Sequence, residues 1–369
     1  ILRRLGEFQL QNVMNSAWAY AKVSIADEFF MEALLSQQLT KVMSSLAPRD
    51  ISTAAWTCAT AAYMDRSLME GLCQQAVRKM HACRYQDLSL IAWSFAKLHI
   101  RDQELFLSIS REVVRQVREF WAQNLSNTMW AFSSLGFDSS SCGAMPDAII
   151  QESKLKLVHF DTQALASTTL SIAKMQIVEV GFVGSLADKV VAKLGAFRCM
   201  ELANVTWGFA RLEALSQEPL LGAITAGVAQ RLRDLNSQDL SNIAWSFARV
   251  VVRDVKLLKA MATCVHLTCS AMNNQDLSNI MWAYAKLAVL EKAMIGGVAA
   301  QLRRRVMQLI PQELSNVSWS FATFAFRHEV LGEIFEQVLA KVDALPAQNR
   351  ASIAWAFSRL SRKEAPMLA

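Results

Sequence analysis

A short motif built around tryptophan recurs along the chain at nearly constant spacing. Its clearest copies, Gln238 to Arg249 and Gln275 to Lys286, share Gln-Asp-Leu-Ser-Asn-Ile, then Trp, an aromatic residue, Ala and a basic residue. Successive copies lie 36 to 40 residues apart. They are centred on Trp18, Trp56, Trp93, Trp130, Leu170, Trp207, Trp245, Trp282, Trp319 and Trp355, with Leu170 standing in place of Trp in one degenerate copy. A fixed period of this length is typical of a solenoid, in which each unit packs on its neighbours.

Each repeat carries signals for two helices. Ser237 suits a helix N-cap and Pro311 suits a first turn, so the motif itself forms the first helix, helix A. A short break such as Val252–Asp254 follows, and a second amphipathic stretch, helix B, then covers for example residues 255–271. The sequence therefore predicts an all-α protein: an α-solenoid of about ten tandem helix-turn-helix repeats of ~37 residues, forming a single array over residues 1–369.

Helix A shows two faces when the tryptophan is counted as position 0. Leu or Ile at −5, an aromatic residue at +2 and Ala or Ser at +3 form a broad apolar arc, which we expect to pack on helix B and on adjacent A helices. Positions −7, −3, 0 and +4 share another face, because they are spaced by four, three and four residues. We call these four columns the A-helix stripe.

The A-helix stripe presents two amides, an indole and a cation. Position −7 is Gln in eight copies, position −3 is Asn in six, and position +4 is Lys or Arg in seven. Proteins bind single-stranded nucleic acid with cations that contact phosphates, with rings that stack on bases and with polar groups that bind base edges. The stripe therefore favours single-stranded RNA as the ligand.

Every column of the stripe also has a structural interpretation. Trp at position 0 lies at the margin of the apolar arc, where packing between adjacent A helices explains it more readily than stacking on a base. Asn at −3 could equally form a ladder between repeats, and Gln at −7 could cap the helix. A cation at +4 is favoured by the helix C-terminus without any phosphate. Basic residues of helix B, such as Arg231 and residues 303–305, are expected on solvated outer faces.

Composition narrows the class of protein further. The net charge of +6 permits a polyanionic partner. Hydrophobic residues make up 53% of the chain, but no apolar run is long enough for a membrane helix. The seven Cys include no CxxC pair and the five His occupy unrelated repeat positions, so we expect neither a metal site nor disulfides. Without a phosphate-binding loop, HExxH or GxSxG, we expect a non-enzymatic protein that needs no cofactor.

The core Leu-Ser-Asn-Ile-Ala-Trp-Ser-Phe-Ala-Arg, residues 240–249, resembles the heptatricopeptide and octotricopeptide repeats of organellar RNA-binding proteins. It is also similar to the helical repeats of FAST-kinase-like mitochondrial proteins and of the RNA-editing substrate-binding complex of kinetoplastids. The resemblance extends from Gln11 to Ser361. It implies a mitochondrial or plastid solenoid that binds single-stranded RNA, acts in RNA processing, editing, stability or ribosome assembly, and has other ribonucleoprotein subunits as partners.

These families place ligand-facing polar residues on the first helix of each repeat, which here points to positions −3 and +4. The RNA-binding residues so implied are Asn15, Lys22, Lys97, Asn127, Lys174, Asn204, Arg211, Asn242, Arg249, Asn279, Lys286, Asn316 and Arg359. The chain departs from the families in lacking the Pro-rich start of octotricopeptide repeats and a RAP-type C-terminal domain, so the resemblance implies no nuclease-like activity.

Two other functions fit the sequence. A protein-binding scaffold would use the same kind of solenoid with a mixed or apolar inner surface. A subunit of an organellar ribosome or editing assembly would contact RNA without sequence specificity. Because the chain begins with Ile1 and shows no targeting peptide, we expect it to be a fragment of a longer protein.

Overall fold

The computed structural model describes residues 7–23, 28–341 and 344–361, and these residues form α-helices, short 3₁₀ and π segments and turns, with no β-strand among them. They fall into two compact units, residues 1–189 (unit 1) and 190–369 (unit 2). In chain order the α-helices are α1 (Leu10–Lys22), α2 (Glu28–Met31), α3 (Gln37–Val42), α4 (Pro48–Thr60), α5 (Arg66–Arg78), α6 (Tyr85–Lys97), α7 (Gln103–Gln116), α8 (Ala122–Ser134), α9 (Met145–Lys156), α10 (Thr162–Lys174), α11 (Val180–Lys193), α12 (Cys199–Arg211), α13 (Leu220–Gln230), α14 (Ser237–Arg249), α15 (Val255–Thr268), α16 (Asn274–Lys286), α17 (Lys292–Arg304), α18 (Pro311–Phe324), α19 (Val330–Ala340) and α20 (Ala347–Ser361).

These helices alternate as the repeat predicts, which confirms the all-α solenoid. The A helices are α1, α4, α6, α8, α10, α12, α14, α16, α18 and α20, one for each predicted copy. The remaining helices are B helices; in the first repeat, the π segment Glu32–Ser36 joins α2 to α3. A 3₁₀ turn extends most B helices, as Cys269–Ala271 does after α15. The degenerate copy around Leu170 still forms a regular A helix, α10. That all copies form one continuous array remains a prediction.

Helix α14 starts one residue earlier than a cap at Ser237 would require, so the prediction of Ser237 as the N-cap was wrong. In α14 the N-cap is Asn236, whose Oδ1 accepts a hydrogen bond from the N–H of Asp239 at 2.9 Å. The Asp239 carboxylate in turn accepts from the N–H of Asn236 at 3.3 Å. This reciprocal pair satisfies two amides that the helix leaves without partners, and so Asp239 fixes where α14 begins.

The A helices end in a left-handed residue at position +6. This residue has positive φ in eight repeats, and only one of the eight is glycine: Ala62, His99, Gly136, Gln176, Glu213, Val251, Ala288 and Ala325. The next N–H then bonds back to the carbonyl of position +2, as Val252 does to Phe247 at 2.8 Å. This is the hydrogen-bond pattern of a Schellman C-cap, which stops helix A at the same point in every such repeat.

The core lies between the A and B helices of each unit. From α4 to α18 the residues at −5 and +2 are buried, among them Leu240, Phe247, Leu277 and Tyr284, as the apolar arc predicts. In α20 position −5 is instead the exposed Arg350. The hydroxyl of Tyr284 donates to the carbonyl of Leu258 on α15 at 2.7 Å. Burial raises the pKa of that hydroxyl, so it stays protonated and able to donate.

Basic residues near the ends of B helices bind the loop of the preceding repeat. Lys156 Nζ donates to the carbonyls of Arg118 and Phe120, both at 2.7 Å. Arg305 donates to Met272 at 2.6 Å and to Ser270 at 3.1 Å. The same contact is made by Lys79, Gln116, Arg231 and Lys341. The expectation that Arg231 and Arg305 simply face solvent was therefore wrong, because both donate hydrogen bonds to backbone carbonyls of the preceding repeat.

No helix within the described part of the chain has the length and apolarity that a membrane span requires.

Candidate nucleic-acid interface

The A-helix stripe lies on the side of helix A that faces away from helix B. At 100° per residue its four positions fall within about 60° of one another, while −5 and +2 lie on the opposite side. The Gln side chains at −7 are exposed, for example Gln238 and Gln275. The Asn side chains at −3 are half-buried, for example Asn242 and Asn279, except Asn15, which is exposed. The cations at +4 are exposed as well. The stripe is therefore an accessible polar surface, and the core lies behind it.

The tryptophans of the stripe contact each other between adjacent repeats. In unit 1 the ring centroids of Trp18 and Trp56 are 6.1 Å apart and those of Trp93 and Trp130 are 6.4 Å apart. In unit 2 the series Trp207, Trp245 and Trp282 is continuous, with separations of 5.9 and 6.4 Å. These offset contacts support the packing interpretation of the tryptophan column. Each ring still keeps an accessible portion: Trp18 and Trp355 are exposed and the other seven are half-buried.

The cations at +4 lie over the tryptophan rings of their own helices. The distance from the cation to the ring centroid is 4.7 Å for Lys22 and 5.0 Å for Lys286. Arg359, Arg211 and Arg249 lie at 5.3, 5.7 and 5.9 Å over Trp355, Trp207 and Trp245. A cation over an indole is attracted by the ring's negative face. The indole therefore acts as a support that holds the cation at the surface.

Two cations of the column differ from this arrangement. Lys97 is exposed on α6, and Lys174 is exposed on α10 beside the leucine of the degenerate copy. Desolvation by surrounding atoms lowers the pKa of Lys174. Lys174 therefore loses its proton at a lower pH than an ordinary lysine. A phosphate close to Lys174 would stabilise the charged form and raise the pKa again.

The amides of the stripe bond to each other along the helix. Gln11 Nε2 donates to Asn15 Oδ1 at 2.8 Å, and Gln312 Nε2 donates to Asn316 Oδ1 at 2.9 Å. An Asn that accepts through Oδ1 can still donate through Nδ2. These contacts hold the −3 amide in a fixed orientation at the surface, which suits a residue that binds a base edge.

Hydrogen bonds between adjacent A helices use positions −4 and −6, a role that sequence reasoning did not assign. In one place the partner belongs to the stripe, because Asn349 at −6 donates to Gln312 Oε1 at 3.2 Å. Ser52 Oγ donates to the Asp87 carboxylate of the next repeat at 2.8 Å, and Asn124 Nδ2 donates to Ser89 Oγ at the same distance. The signal that could have found them is the recurrence of Ser at −4 and of Asp, Glu or Asn at −6. These residues at −4 and −6 link adjacent repeats, and the ladder proposed for Asn at −3 stays a prediction.

The structure places every predicted site residue on an A helix. In unit 1 these residues are Asn15 and Lys22 on α1, Lys97 on α6, Asn127 on α8 and Lys174 on α10. In unit 2 they are Asn204 and Arg211 on α12, Asn242 and Arg249 on α14, Asn279 and Lys286 on α16, Asn316 on α18 and Arg359 on α20. Three consecutive A helices of unit 2 thus each carry Asn, Trp and a cation.

The described residues contain no cluster of three or more His, Cys, Asp or Glu side chains that could hold a metal ion. All seven cysteines are free. Burial raises the pKa of Cys58 to about 12, so this thiol is protonated at neutral pH.

The fold and the stripe define an α-solenoid repeat protein with a polar, partly cationic face on its A helices. Residues 44–365 match the family model of the RNA-editing substrate-binding complex 6 protein, and the chain belongs to that family. No curated protein sequence matches the chain. Among solved structures, a chain of a homology model of the full-length AP-3 complex in an intermediate open conformation aligns with a TM-score of 0.34 and 11% identity, over 99% of this chain and 74% of that one. At that TM-score the likeness carries no weight for fold or function.

Proposed function

We propose that this chain is a non-catalytic, RNA-binding subunit of a mitochondrial RNA-editing assembly, and that it holds single-stranded RNA along the A-helix stripe. The family to which the chain belongs is described as part of an RNA-editing substrate-binding complex. The observation that carries the proposal is the row of surface cations supported on tryptophan rings, as in Arg211, Arg249 and Lys286.

The stripe supplies what a single strand needs. The ring-supported cations would contact phosphates, and the neighbouring Asn side chains would bind base edges. Four indoles contact both a cation and a neighbouring ring, which leaves too small an accessible portion for them to be the main platform for a base: Trp18, Trp207, Trp245 and Trp282. The strand would therefore be held mainly by charge and by amides, at up to about one base per repeat.

A protein-scaffold function is the second candidate, and exposed apolar side chains on the B helices favour it. Leu155 and Leu267 are 78% and 75% exposed near the ends of α9 and α15. Such side chains are more often found at protein contacts when they cluster. In this case RNA and protein would use different faces of the repeats.

The proposal is tested by the binding of a fluorescent single-stranded RNA pool, measured by anisotropy from about 50 to about 300 mM salt. The variant Lys97→Ala, Arg211→Ala, Arg249→Ala, Lys286→Ala removes four stripe cations. Wild type should bind the single strand better than duplex DNA, with an affinity that falls as salt rises. The variant should bind more weakly, and its salt slope should be shallower by up to about three, since each lost phosphate contact removes about 0.7.

A matched control removes the same charge from the B helices. Arg111, Lys256, Lys259 and Lys292 are exposed on α7, α15 and α17 and can be replaced together by Ala. If the stripe binds RNA, this control keeps nearly all of the affinity. Equal losses in both variants would mean that only net charge matters, and no RNA binding by wild type would favour the scaffold.

A further inference from the structure

We infer that RNA binding is concentrated in three consecutive repeats of unit 2, which we call the triple tract. It consists of Asn204, Trp207, Arg211, Asn242, Trp245, Arg249, Asn279, Trp282 and Lys286. This inference rests on the proposed function and makes it more specific, because it assigns most of the affinity to one short segment.

The first observation is the continuity of the indole column. Trp207, Trp245 and Trp282 form an unbroken series, in which Trp245 contacts a ring on each side at 5.9 and 6.4 Å. A residue held between two neighbours has little freedom to change rotamer. The three rings therefore fix the spacing of whatever side chains they support.

The second observation is that each ring of the tract supports a cation. Arg211, Arg249 and Lys286 lie 5.7, 5.9 and 5.0 Å from the centroids of their rings. Adjacent cations on a common support present a strand with consecutive phosphate sites. Once one site is occupied, its neighbours bind at a high effective concentration, so three adjacent sites outweigh three scattered ones.

Other repeats interrupt the set. Cations at +4 are replaced by Thr60, Ser134 and Thr323 in the repeats of Trp56, Trp130 and Trp319. The repeat of Trp93 has Leu90 at −3, and the degenerate copy has no indole. The repeat of Trp18 is complete, but Thr53 and Thr60 follow it in the next repeat. These sites would each contribute separately, without the gain from adjacency.

An acidic residue within the tract offers a second readout. Glu213 follows α12 and its carboxylate lies 3.8 Å from the guanidinium of Arg249 on α14. Both side chains are exposed, so this ion pair contributes little to stability. The Glu213 carboxylate nevertheless competes with an RNA phosphate for the guanidinium of Arg249. Removing the Glu213 charge should therefore raise RNA affinity by up to about threefold without weakening the fold.

The deciding experiment compares two variants of the full chain that lose equal charge. One is Arg211→Ala, Arg249→Ala, Lys286→Ala, and the other is Lys22→Ala, Lys97→Ala, Lys174→Ala. Binding of single-stranded RNA is measured against salt, and the far-UV circular dichroism melt of each variant confirms folding. We expect about a tenfold or greater loss for the first, with a slope shallower by about two, and less than about a threefold loss for the second. Glu213→Gln should bind more tightly than wild type.

Base recognition is tested in the same way. Asn204→Ala, Asn242→Ala, Asn279→Ala is compared with Asn15→Ala, Asn127→Ala, Asn316→Ala on homopolymeric RNAs. The first should reduce the discrimination between bases more than the second does. If wild type binds RNA but the paired variants lose affinity equally, the tract is wrong while the proposed function stands. If wild type does not bind RNA, the proposed function fails and the tract fails with it.

Discussion

At the scale of single residues, the end of helix A is the least favourable position in the repeat. Val251 has a φ of 59° after α14, although β-branched residues are the least suited to the left-handed region. Only Gly136 supplies the residue type that this conformation prefers among the eight positions described. The chain keeps the conformation because the Val252 N–H bonds to the Phe247 carbonyl at 2.8 Å and ends the helix there.

Replacing Val251 by glycine should therefore stabilise the protein. The free energy gained by relieving backbone strain exceeds the entropic cost of the extra conformations that glycine gives to the unfolded chain. We expect the free energy of unfolding to rise by about 1 kcal/mol. Val251 is 66% exposed, so little buried surface is lost. The change is measured as an increase in the urea midpoint. Gly136→Ala is the reciprocal variant and should lower it, even though a Cβ there meets nothing within 4 Å. A lower midpoint for Val251→Gly would show that the side chain contributes more than the strain costs.

Asp239 illustrates a second residue-scale conflict. Its carboxylate is needed to accept the hydrogen bond from Asn236, yet it is only 3% exposed. Desolvation raises its pKa above the usual value, while the bond from Asn236 opposes this. The folded chain therefore holds the Asp239 proton more tightly than the unfolded chain does. The associated stability is complete at low pH and is lost as pH rises through the folded pKa.

Asp239→Asn should remove this dependence while keeping the capping bond. Asn124 already occupies the equivalent position in α8 and accepts from the Trp121 N–H at 3.2 Å. Relative to wild type, the variant should gain stability as the pH rises from the usual range of an Asp carboxyl to above it, because wild-type Asp239 loses its proton only at a raised pH. Urea midpoints of both proteins across this range provide the measurement. Asp239→Ala, which loses the bond, should be less stable than Asp239→Asn by about 1 kcal/mol at every pH. The account would be contradicted if the urea midpoints of wild type and Asp239→Asn changed with pH in parallel.

At the scale of helices, long polar side chains near the ends of six B helices, five of them cations, hold a repeat to the one before it. Their column lies at position −14 from tryptophan, where Lys79, Gln116, Lys156, Arg231, Arg305 and Lys341 recur. A carbonyl at the end of a loop is left without a partner by the backbone, and a long side chain from the next repeat reaches it. The way in which one repeat packs on the next thus depends on these hydrogen bonds as well as on the apolar core.

Lys156→Met should therefore destabilise unit 1. It leaves the carbonyls of Arg118 and Phe120 without their charged donor, which we expect to cost about 1 to 2 kcal/mol. Lys154→Met is the matched control, because Lys154 makes only a partly exposed ion pair with Glu179 at 3.0 Å. Its loss should change stability by less than about 0.5 kcal/mol. The urea midpoints of the two variants decide the point, and equal values would refute the role given to Lys156.

The helices and the stripe could be predicted from sequence because both depend on local periodicity. Helix geometry alone places Gln238, Asn242, Trp245 and Arg249 on one face. The hydrogen bonds from Ser52 to Asp87 and from Lys156 to Phe120 could not be derived in this way. They depend on how neighbouring repeats are aligned, and a serine or lysine column has several possible partners until that alignment is known. The position of a cation over its tryptophan also required the side-chain conformations.

At the scale of the whole molecule, the repeats are alike in fold and unlike in surface. From α4 to α18 every A helix buries positions −5, +2 and +3. The full set of Asn, Trp and cation, in contrast, occurs in adjacent repeats only from Asn204 to Lys286 in unit 2. A repeated core fixes the architecture, and variation on the exposed face then assigns function to particular repeats.

The central claim is that the A-helix stripe is the surface that contacts RNA. Photo-crosslinking of the full chain to single-stranded RNA carrying 4-thiouridine, followed by mass spectrometry of the crosslinked peptides, tests it most directly. Crosslinks should fall on A-helix peptides, most densely on those that contain Trp207, Trp245 and Trp282. Crosslinks confined to B helices such as α15 and α17, or spread evenly over both layers, would contradict the claim.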